Sequence, residues 1–212
     1  MITLALDTCL GACSVAVVHD DRTLASACEP MTRGHQERLA PMAREVMAAA
    51  GLSFAALDRI GVTVGPGSFT GLRVGLAFAK GLALALDVPC IGIGSLEALA
   101  ASVAAGGAVV AVIDGGRGNV YRQQFDGGRV VGAPDVVPLE TAAAGLPAGR
   151  AWGEVTLIGP SAAVMTAIAA AARHTVMVSP DPAIIAKLAA AAPITPPRPL
   201  YLRPPDATPK TS

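Results

Sequence analysis

Two aspartates lie at positions where their carboxylates could help to bind a nucleotide. Asp7 and Asp114 each follow a short apolar run and precede small residues that predict a tight turn. An aspartate at a strand end, wrapped by glycines and hydroxyls, can hold the magnesium and phosphates of a nucleotide. The match is poor in detail, because residues 9–12 (CLGA) lack polar groups and Arg117 stands where a hydroxyl is needed. The alternative is that both carboxylates cap their own turns through Asx hydrogen bonds.

A glycine-rich stretch, residues 65–81, is the most distinctive local feature. It reads GPGSFTGLRVGLAFAKG and follows an apolar strand, a typical position for a phosphate-binding loop at a helix N-terminus. Its glycines do not follow the dinucleotide-binding pattern. A phosphate loop would also need Lys and then Ser or Thr where Leu72 and Arg73 stand. Phosphate binding is therefore the weaker interpretation.

The same stretch carries small residues at every fourth position, which places them on one face of a helix predicted at 69–86. We call this set the glycine ridge, and it consists of Gly67, Gly71, Gly75, Ala79 and Ala83. Each glycine inside a helix costs about 1 kcal/mol relative to alanine, so close packing against another backbone must compensate. The ridge can face this protein's own sheet or helix 34–50, or it can meet a helix of another subunit.

The other reactive side chains form no known catalytic pattern. His19, His35 and His174 are not spaced to share a helical face, so we expect no metal site of the His-x-x-x-His kind. Neither a Ser/His/Asp order nor a G-x-S-x-G elbow occurs, which argues against a protease. The four cysteines include no C-x-x-C pair, and we expect reduced thiols that fill the core as small residues.

Hydrophobic patterning predicts the elements that position these residues. Strands are predicted at 2–6, 13–18, 23–28, 59–64, 89–93, 108–114, 155–158 and 175–178. Helices are predicted at 34–50, 69–86, 161–173 and 182–192, with a further helix opening at Ser95. Residues 193–212 are rich in proline, and we expect them to be extended or partly mobile.

The pattern from Asp7 to Arg22 recurs from Asp114 to Arg129 with the same spacing. Each copy has a strand ending in aspartate, a small-residue turn, a second strand and an acidic turn, which indicates a diverged duplication. The sequence therefore predicts an α/β fold of two ribonuclease-H-like lobes, the plan of the actin, sugar kinase and Hsp70 superfamily. We place an N-terminal lobe at 1–104, a smaller C-terminal lobe at 105–192 and a proline-rich tail at 193–212.

Composition narrows the classes of partner. Hydrophobic residues make up 52% of the 212 residues, charged residues only 15%, and 16 Lys and Arg balance 16 Asp and Glu. Zero net charge argues against a chain that binds nucleic acid alone, because such affinity comes largely from neutralised phosphates. The longest uncharged run, 155–172, is broken by Gly159-Pro160, and the start carries no basic signal region. We expect no membrane segment and a cytoplasmic protein.

The string GPGSFTGLRVG at 65–75, together with ALDT at 5–8 and His35, resembles the TsaB (YeaZ) family. Members of this family are the small partner subunit of a bacterial enzyme that modifies tRNA. The enzyme transfers a threonylcarbamoyl group to the adenosine next to the anticodon, which forms threonylcarbamoyladenosine (t6A). The resemblance covers the N-terminal hundred residues well and the rest loosely, through 114–121 and 199–203. It implies a non-catalytic subunit that pairs with and stabilises the catalytic subunit TsaD. The ATPase subunit TsaE would join the complex, and tRNA would be contacted only through it.

The resemblance also implies where the partner binds. The ridged helix and helix 34–50 would pair with TsaD, or with a second copy when the chain is alone. We assign to this surface His35, Leu39, Gly67, Phe69, Thr70, Gly71, Arg73, Val74, Gly75, Phe78 and Ala79. We assign Asp7, Thr8 and Asp114 to a vestigial nucleotide site and no residue to catalysis or metal binding. ATP or ADP and a metal ion would enter only with the assembled complex. The alternative is a small ATPase or kinase using Asp7 and Asp114.

Overall fold

The computed structural model describes residues 1–103, 106–144 and 150–203, which form two β-sheets with helices packed on them. The first part of the chain contains β1 (Ile2–Asp7), β2 (Ala12–His19), β3 (Arg22–Pro30), α1 (His35–Ala49), β4 (Arg59–Thr63), α2 (Phe69–Leu86), β5 (Cys90–Ile93) and α3 (Ser95–Ala101). The second part contains β6 (Ala108–Gly116), β7 (Asn119–Asp126), β8 (Arg129–Val130), β9 (Asp135–Pro138), β10 (Val155–Gly159), α4 (Ala162–Ala169), β11 (Arg173–Val176) and α5 (Pro182–Ala191).

The two sheets share one plan, in agreement with the predicted duplication. The first sheet has the strand order β3-β2-β1-β4-β5, with β1, β2 and β3 antiparallel and β1, β4 and β5 parallel. The second has the order β11-β10-β6-β7-β8, with β6 and β7 antiparallel and β6, β10 and β11 parallel. The strand that carries the aspartate at or near its end, β1 or β6, is central in each. The predicted α/β class with two ribonuclease-H-like halves is confirmed.

Several predicted boundaries differ from the structure. The helix predicted at 161–173 ends at Ala169, because Arg173 already begins β11 beside Thr156 of β10. The strands β8 and β9 were not predicted, since β8 has only two residues and the sequence of β9, DVVP, shows no alternation of apolar and polar residues. The lobe boundary predicted at residues 104 and 105 lies outside the described residues, so the division into domains stays a prediction.

The helices α1 and α2 cover one face of the first sheet. Leu4, Leu6 and Val62 of the sheet pack there with the buried faces of both helices. Apolar positions in α1 recur at Leu39, Met42, Ala43, Val46 and Met47, the stripe predicted from its periodicity. These two helices therefore leave their other faces directed away from the sheet.

The other faces of the two sheets are covered by an exchange of helices between the halves. The helix α3 follows the first sheet in the chain, yet its Leu96 and Leu99 pack with Val109 and Ile113 of the second sheet. Conversely, α5 follows the second sheet and packs on the first. Its contacts join Ala183, Ile185, Ala186 and Ala189 to Ala5, Ala16, Val18, Ile91 and Ile93. Each half is completed by a helix that the other half supplies in sequence.

Small residues allow α5 to lie close to its sheet. A Cβ built on Gly61 of β4 would lie only 2.7 Å from the Cβ of Ala189. The C-terminus of α5 is capped by Arg59, whose Nη1 donates to the carbonyl oxygens of Ala189, Ala190 and Ala192 at 2.7, 3.0 and 2.9 Å. Part of the alanine-rich composition is therefore explained by this close helix–sheet contact.

Candidate functional site: a closed aspartate and an open helix face

The carboxylate of Asp7, at the end of β1, is completely buried and held by donors from this chain. The hydroxyl of Thr63 donates to its Oδ1 at 2.5 Å, and the N–H of Cys9 donates to the same oxygen at 3.0 Å. The hydroxyl of Ser179 donates to Oδ2 at 2.9 Å. Because both oxygens are satisfied and neither is exposed, the carboxylate cannot reach magnesium or phosphate in this conformation.

The segment between β11 and α5 closes this site. Ser179 lies on that segment, and its Oγ is also 3.5 Å from the Oγ of Ser14. The segment is anchored on both sides, because Gly11 N–H donates to the carbonyl of Val178 at 2.9 Å and Met177 N–H donates to the carbonyl of Gly159 at 3.0 Å. Sequence reasoning missed Thr63 and Ser179 as members of the site, since no local pattern links them to Asp7.

Burial dominates the proton affinities at this site. Desolvation raises the pKa of Asp7, and the opposing hydrogen bonds from Thr63, Cys9 and Ser179 reduce this shift without reversing it. The pKa of the Cys9 thiol is also raised, first by burial and then by the neighbouring charge of Asp7. A thiol in such surroundings is a poor nucleophile, so this cluster has a structural rather than a reactive character.

The second aspartate is exposed and caps its own turn. Asp114 Oδ1 accepts from the N–H of Gly116 at 2.8 Å, the same two-residue spacing that joins Asp7 to Cys9. The alternative that both aspartates form Asx hydrogen bonds is confirmed. Arg203 reaches this turn from the tail and donates through Nη1 to the carbonyl of Gly115 at 3.0 Å.

The glycine ridge of α2 faces this protein's own first sheet. A Cβ built on Gly71 would lie 1.9 Å from the carbonyl oxygen of Thr8, and one on Gly75 would lie 2.6 Å from its Oγ1. Thr8 in turn donates through Oγ1 to the carbonyl of Gly71 at 2.7 Å. A Cβ on Gly67 would lie 2.4 Å from the carbonyl oxygen of Cys9. The glycines thus let α2 approach the turn after β1, which is one of the two alternatives that the spacing allowed.

The opposite face of α2 is open and forms a groove with α1. The groove has a volume of about 500 Å³. It is lined by Gln36, Leu39, Ala40, Phe69, Thr70, Arg73, Val74, Ala77 and Phe78. Farther along the same helix, Leu84 is 85% exposed. Apolar side chains that a single chain leaves open in this way are typical of a protein–protein contact.

By length and hydropathy, α2 is the one helix among the described residues that could cross a membrane. Its mean hydropathy is 1.4, and a third of it is buried in the chain. Its buried residues belong to the core beneath it, including Leu72 and Leu76. The remaining apolar surface is the open groove face. The high hydropathy and partial burial of α2 therefore fit a helix that packs on a sheet with one face and exposes an apolar second face to a partner.

An aromatic and cationic stack lies at the start of this face. The guanidinium carbon of Arg73 lies 3.8 Å from the ring centroid of Phe69, and the ring of Tyr201 lies 5.6 Å from that of Phe69. Phe69 and Tyr201 are each 47% exposed. Sequence reasoning missed Tyr201, although an aromatic residue in a proline-rich tail is a signal for a docked tail.

The residues assigned to the partner surface therefore fall into three groups. Phe69, Thr70 and Arg73 are exposed, while Val74 and Phe78 are half-buried and line the groove with buried Leu39. His35 begins α1 and is only 8% exposed, and its Nε2 has no hydrogen-bond partner within the described part of the chain. The remaining four, Gly67, Gly71, Gly75 and Ala79, face their own chain, which corrects their assignment to a direct partner contact. The partner surface as a whole stays a prediction.

The other histidines and the cysteines have local roles. His19 ends β2 exposed beside Asp20, and His174 bonds through Nε2 to the carbonyl of Ala169 at 2.9 Å. Within residues 1–103, 106–144 and 150–203, no three His, Cys, Asp or Glu side chains form a group that could hold a metal ion. All four cysteines are free, and Cys9 and Cys13 are buried as expected. Cys28 is exposed, which corrects the prediction of four core thiols, because β3 is the edge strand of its sheet.

Comparison with known sequences supports one family. A family sequence model described as "TsaD: tRNA N6-adenosine threonylcarbamoyltransferase" matches residues 29–193. The chain is 38% identical to the tRNA threonylcarbamoyladenosine biosynthesis protein TsaB of Escherichia coli over 59% of its own length, and the match spans about half, 55%, of that relative. It is 36% identical to the uncharacterized protein Rv3421c of Mycobacterium tuberculosis over 97% of its own length and 93% of the relative.

Solved structures agree with this placement. YeaZ from Pseudomonas aeruginosa matches with a TM-score of 0.75 and 30% identity, over 89% of this chain and 90% of the other. A Pseudomonas aeruginosa protein described as similar to peptidase YEAZ matches with a TM-score of 0.83 and 31% identity, over 95% and 99% of the two chains. The activator of the 2-hydroxyisocaproyl-CoA dehydratase from Clostridium difficile shares the fold alone, with a TM-score of 0.51 and 11% identity over 89% of this chain and 94% of the activator.

Proposed function

This chain belongs to the TsaB (YeaZ) family, and from that premise we propose that it is a non-catalytic partner subunit of the complex that makes t6A in tRNA. In this proposal it pairs with the catalytic subunit TsaD and stabilises it. The ATPase subunit TsaE joins the same complex, tRNA is contacted only through the assembly, and the protein acts in the cytoplasm.

The observation that carries the proposal is the open, apolar face of α1 and α2. Phe69, Val74, Ala77 and Phe78 line a groove that the described chain leaves uncovered. Burying such a surface contributes about 25 cal/mol for each Å² removed from water, so a second pair of helices laid into the groove would gain stability. Helices packed in this way would form a four-helix contact with the glycine ridge supporting it from below.

The closed aspartate site supports a subunit without its own catalytic step. An ATPase or kinase would need the Asp7 carboxylate to face a nucleotide, whereas Thr63 and Ser179 occupy it here. We therefore assign no cofactor to this chain alone and propose that ATP or ADP and a metal ion act only in the assembled complex. A homodimer through the same face is the state available to the chain without TsaD.

The test is a pair of substitutions with the same chemistry at two exposed alanines. Ala77 lies in the groove on α2, and Ala163 lies exposed on α4 of the other half. Ala77→Trp fills the groove and should prevent complex formation with TsaD, as measured by native mass spectrometry, and should lower the t6A content of tRNA. Ala163→Trp should change neither quantity. If Ala77→Trp leaves both the complex and tRNA modification intact, the proposed binding face is wrong.

A further inference from the structure

The string PLYLR at residues 199–203 contributes to the family resemblance but has no assigned role in the proposed function. These residues follow α5 and form neither helix nor strand in the structure. Pro197, just before them, is buried, and its Cβ would lie 3.1 Å from a Cβ built on Gly92 of β5. Residues 199–203, which we call the strap, are therefore held in place by contacts with the folded chain rather than by secondary structure of their own.

The first part of the strap is attached to the first half of the chain. Leu200 N–H donates to the carbonyl of Val64 at 2.8 Å, in the turn between β4 and α2. The carbonyl oxygen of Leu200 would lie 3.1 Å from a Cβ built on Gly65, so the backbone of the strap touches this turn directly. The ring of Tyr201 then packs beside that of Phe69 at the start of α2, with their centroids 5.6 Å apart.

The end of the strap is attached to the second half. Arg203 donates through Nη1 to the carbonyl oxygens of Gly115 and Gly116, at 3.0 and 3.4 Å. These two glycines end β6 and follow Asp114 directly. Leu200 and Arg203 are three residues apart, which limits the backbone span between them to about 11 Å. The strap thus crosses from the end of β4 to the end of β6 over a short distance.

The crossing lies beside the closed aspartate. Val64, which accepts from the strap, directly follows Thr63, the donor to Asp7 Oδ1. The Sγ of Cys9 lies 3.1 Å from the Oγ1 of the same threonine. Asp7 and Cys9 are both buried, with exposed fractions of 0% and 1%. The point where the strap is attached and the closed site are therefore adjacent both in the chain and in space.

We propose that residues 199–203 are a strap that holds the two halves of the chain together beside the closed aspartate, and that release of the strap opens this site. The inference concerns the isolated chain and does not depend on the proposed partner. It gives the C-terminal motif a conformational role: the strap determines whether the buried carboxylate and thiol can be reached from solvent.

The strap is a weaker connection than the exchanged helices that also join the halves. The helices α3 and α5 pack on their sheets through whole apolar faces. The strap, in contrast, is attached at its two ends by a backbone hydrogen bond and a guanidinium group. Local opening that breaks few contacts occurs more readily than unfolding of the core. Loss of the strap should therefore open the site while both halves stay folded.

The rate of thiol alkylation tests the proposal, because two buried cysteines lie at different distances from the strap. Cys9 belongs to the closed site, whereas Cys13 lies farther along on β2, and both belong to the core of the first half. The full chain is treated with iodoacetamide, and each cysteine is followed by peptide mass spectrometry. Arg203→Leu removes a charged donor from two carbonyl groups, so Cys9 should react about tenfold faster. Cys13 should keep its rate.

Two further variants examine the two attachments separately. Leu200→Pro removes the N–H that bonds to Val64, so it should also accelerate the reaction of Cys9 and not that of Cys13. Arg203→Lys keeps a charged donor but loses the planar guanidinium, and its Cys9 rate should lie between those of the unsubstituted chain and Arg203→Leu.

Arg173→Leu is the matched control, because Arg173 also donates to a backbone carbonyl, that of Glu154, but within the second half. It should leave the rates of both cysteines unchanged. An unchanged Cys9 rate in Arg203→Leu and Leu200→Pro overturns the proposal. Equal acceleration of Cys9 and Cys13 also overturns it, since the tail would then stabilise the fold in general rather than close one site. Either result leaves the proposed function standing, because TsaD takes no part in the experiment.

Discussion

The same substitution at two glycines of α2 should have opposite effects on stability. Gly81 is exposed, and a Cβ built there meets nothing within 4 Å. Because alanine removes the helix penalty of glycine, Gly81→Ala should raise the free energy of unfolding by about 1 kcal/mol. At Gly71 the new Cβ would lie 1.9 Å from the backbone oxygen of Thr8, where no side-chain rotation can relieve the contact.

The loss at Gly71 can be worked out from its contacts. The start of α2 must move by about 1 Å to accommodate the methyl group, and strain of this kind in a packed core costs about 1–3 kcal/mol. The movement also breaks the 2.7 Å hydrogen bond from Thr8 to the carbonyl of Gly71, which contributes about 1 kcal/mol. After the gain of about 1 kcal/mol in helix propensity, Gly71→Ala should lower the free energy of unfolding by about 1–3 kcal/mol.

Urea unfolding followed by far-ultraviolet circular dichroism measures this difference directly. With a common dependence on denaturant, the two variants should be separated by about 2–4 kcal/mol, a difference that the method resolves easily. Gly75→Ala should fall between them, because its Cβ would meet the side-chain Oγ1 of Thr8 rather than backbone. Equal midpoints for Gly71→Ala and Gly81→Ala would refute the inward orientation of the glycine ridge.

Three further predictions concern the closed site and the exchanged helix. Burial raises the pKa of Asp7 in the folded state, so above the ordinary pKa of aspartate the folded chain retains a proton that the unfolded chain loses. The unsubstituted chain therefore loses stability as pH rises through this range. Asp7→Asn does not titrate, and its stability relative to the unsubstituted chain should increase over the same range. Thermal unfolding at several pH values measures this, and a pH-independent difference would contradict it. Arg59→Leu should lower the free energy of unfolding by about 1.5–3 kcal/mol, because three carbonyl groups at the end of α5 lose a charged donor; a loss below about 0.5 kcal/mol in urea unfolding would show that water replaces the cap. Calorimetric titration of the isolated chain with Mg-ATP should give no saturable heat in the micromolar range, and binding that disappears in Asp7→Ala would favour the ATPase or kinase alternative.

The sequence was most informative where a property is local. The bounds of α2 were predicted correctly, because Gly65-Pro66 separates the helix from the preceding strand and no proline interrupts residues 69–86. The Asx turns at Asp7 and Asp114 could also be predicted from the sequence, because the aspartate and its N–H donor are two residues apart. The end of α4 could not be predicted, since the alanines at 170–172 favour a helix and the helix ends because Arg173 pairs with β10.

Contacts between residues far apart in the sequence could not be predicted, and they form much of the candidate site. Periodicity correctly placed Gly71, Gly75, Ala79 and Ala83 on one face of α2. Small side chains suit either a sheet or a partner helix, so spacing could not show which of the two that face contacts. Ser179 is 172 positions from Asp7, and no pattern in either neighbourhood indicates their hydrogen bond. Tyr201 in the proline-rich tail indicated a docked tail, but its contact with Phe69 joins residues far apart in the sequence and no local pattern could identify it.

The exchange of α3 and α5 has a consequence for how the protein is made. On the ribosome, the strands β1 to β5 emerge long before residues 182–191, yet α5 packs on one of their faces. Until then Ile91 and Ile93 lie on an apolar surface with no permanent cover, the kind of intermediate that is prone to aggregation. Contacts of such long sequence separation also form slowly. Nascent chains that stop before α5 should therefore depend on chaperones, and the first sheet reaches its full stability only near the end of synthesis.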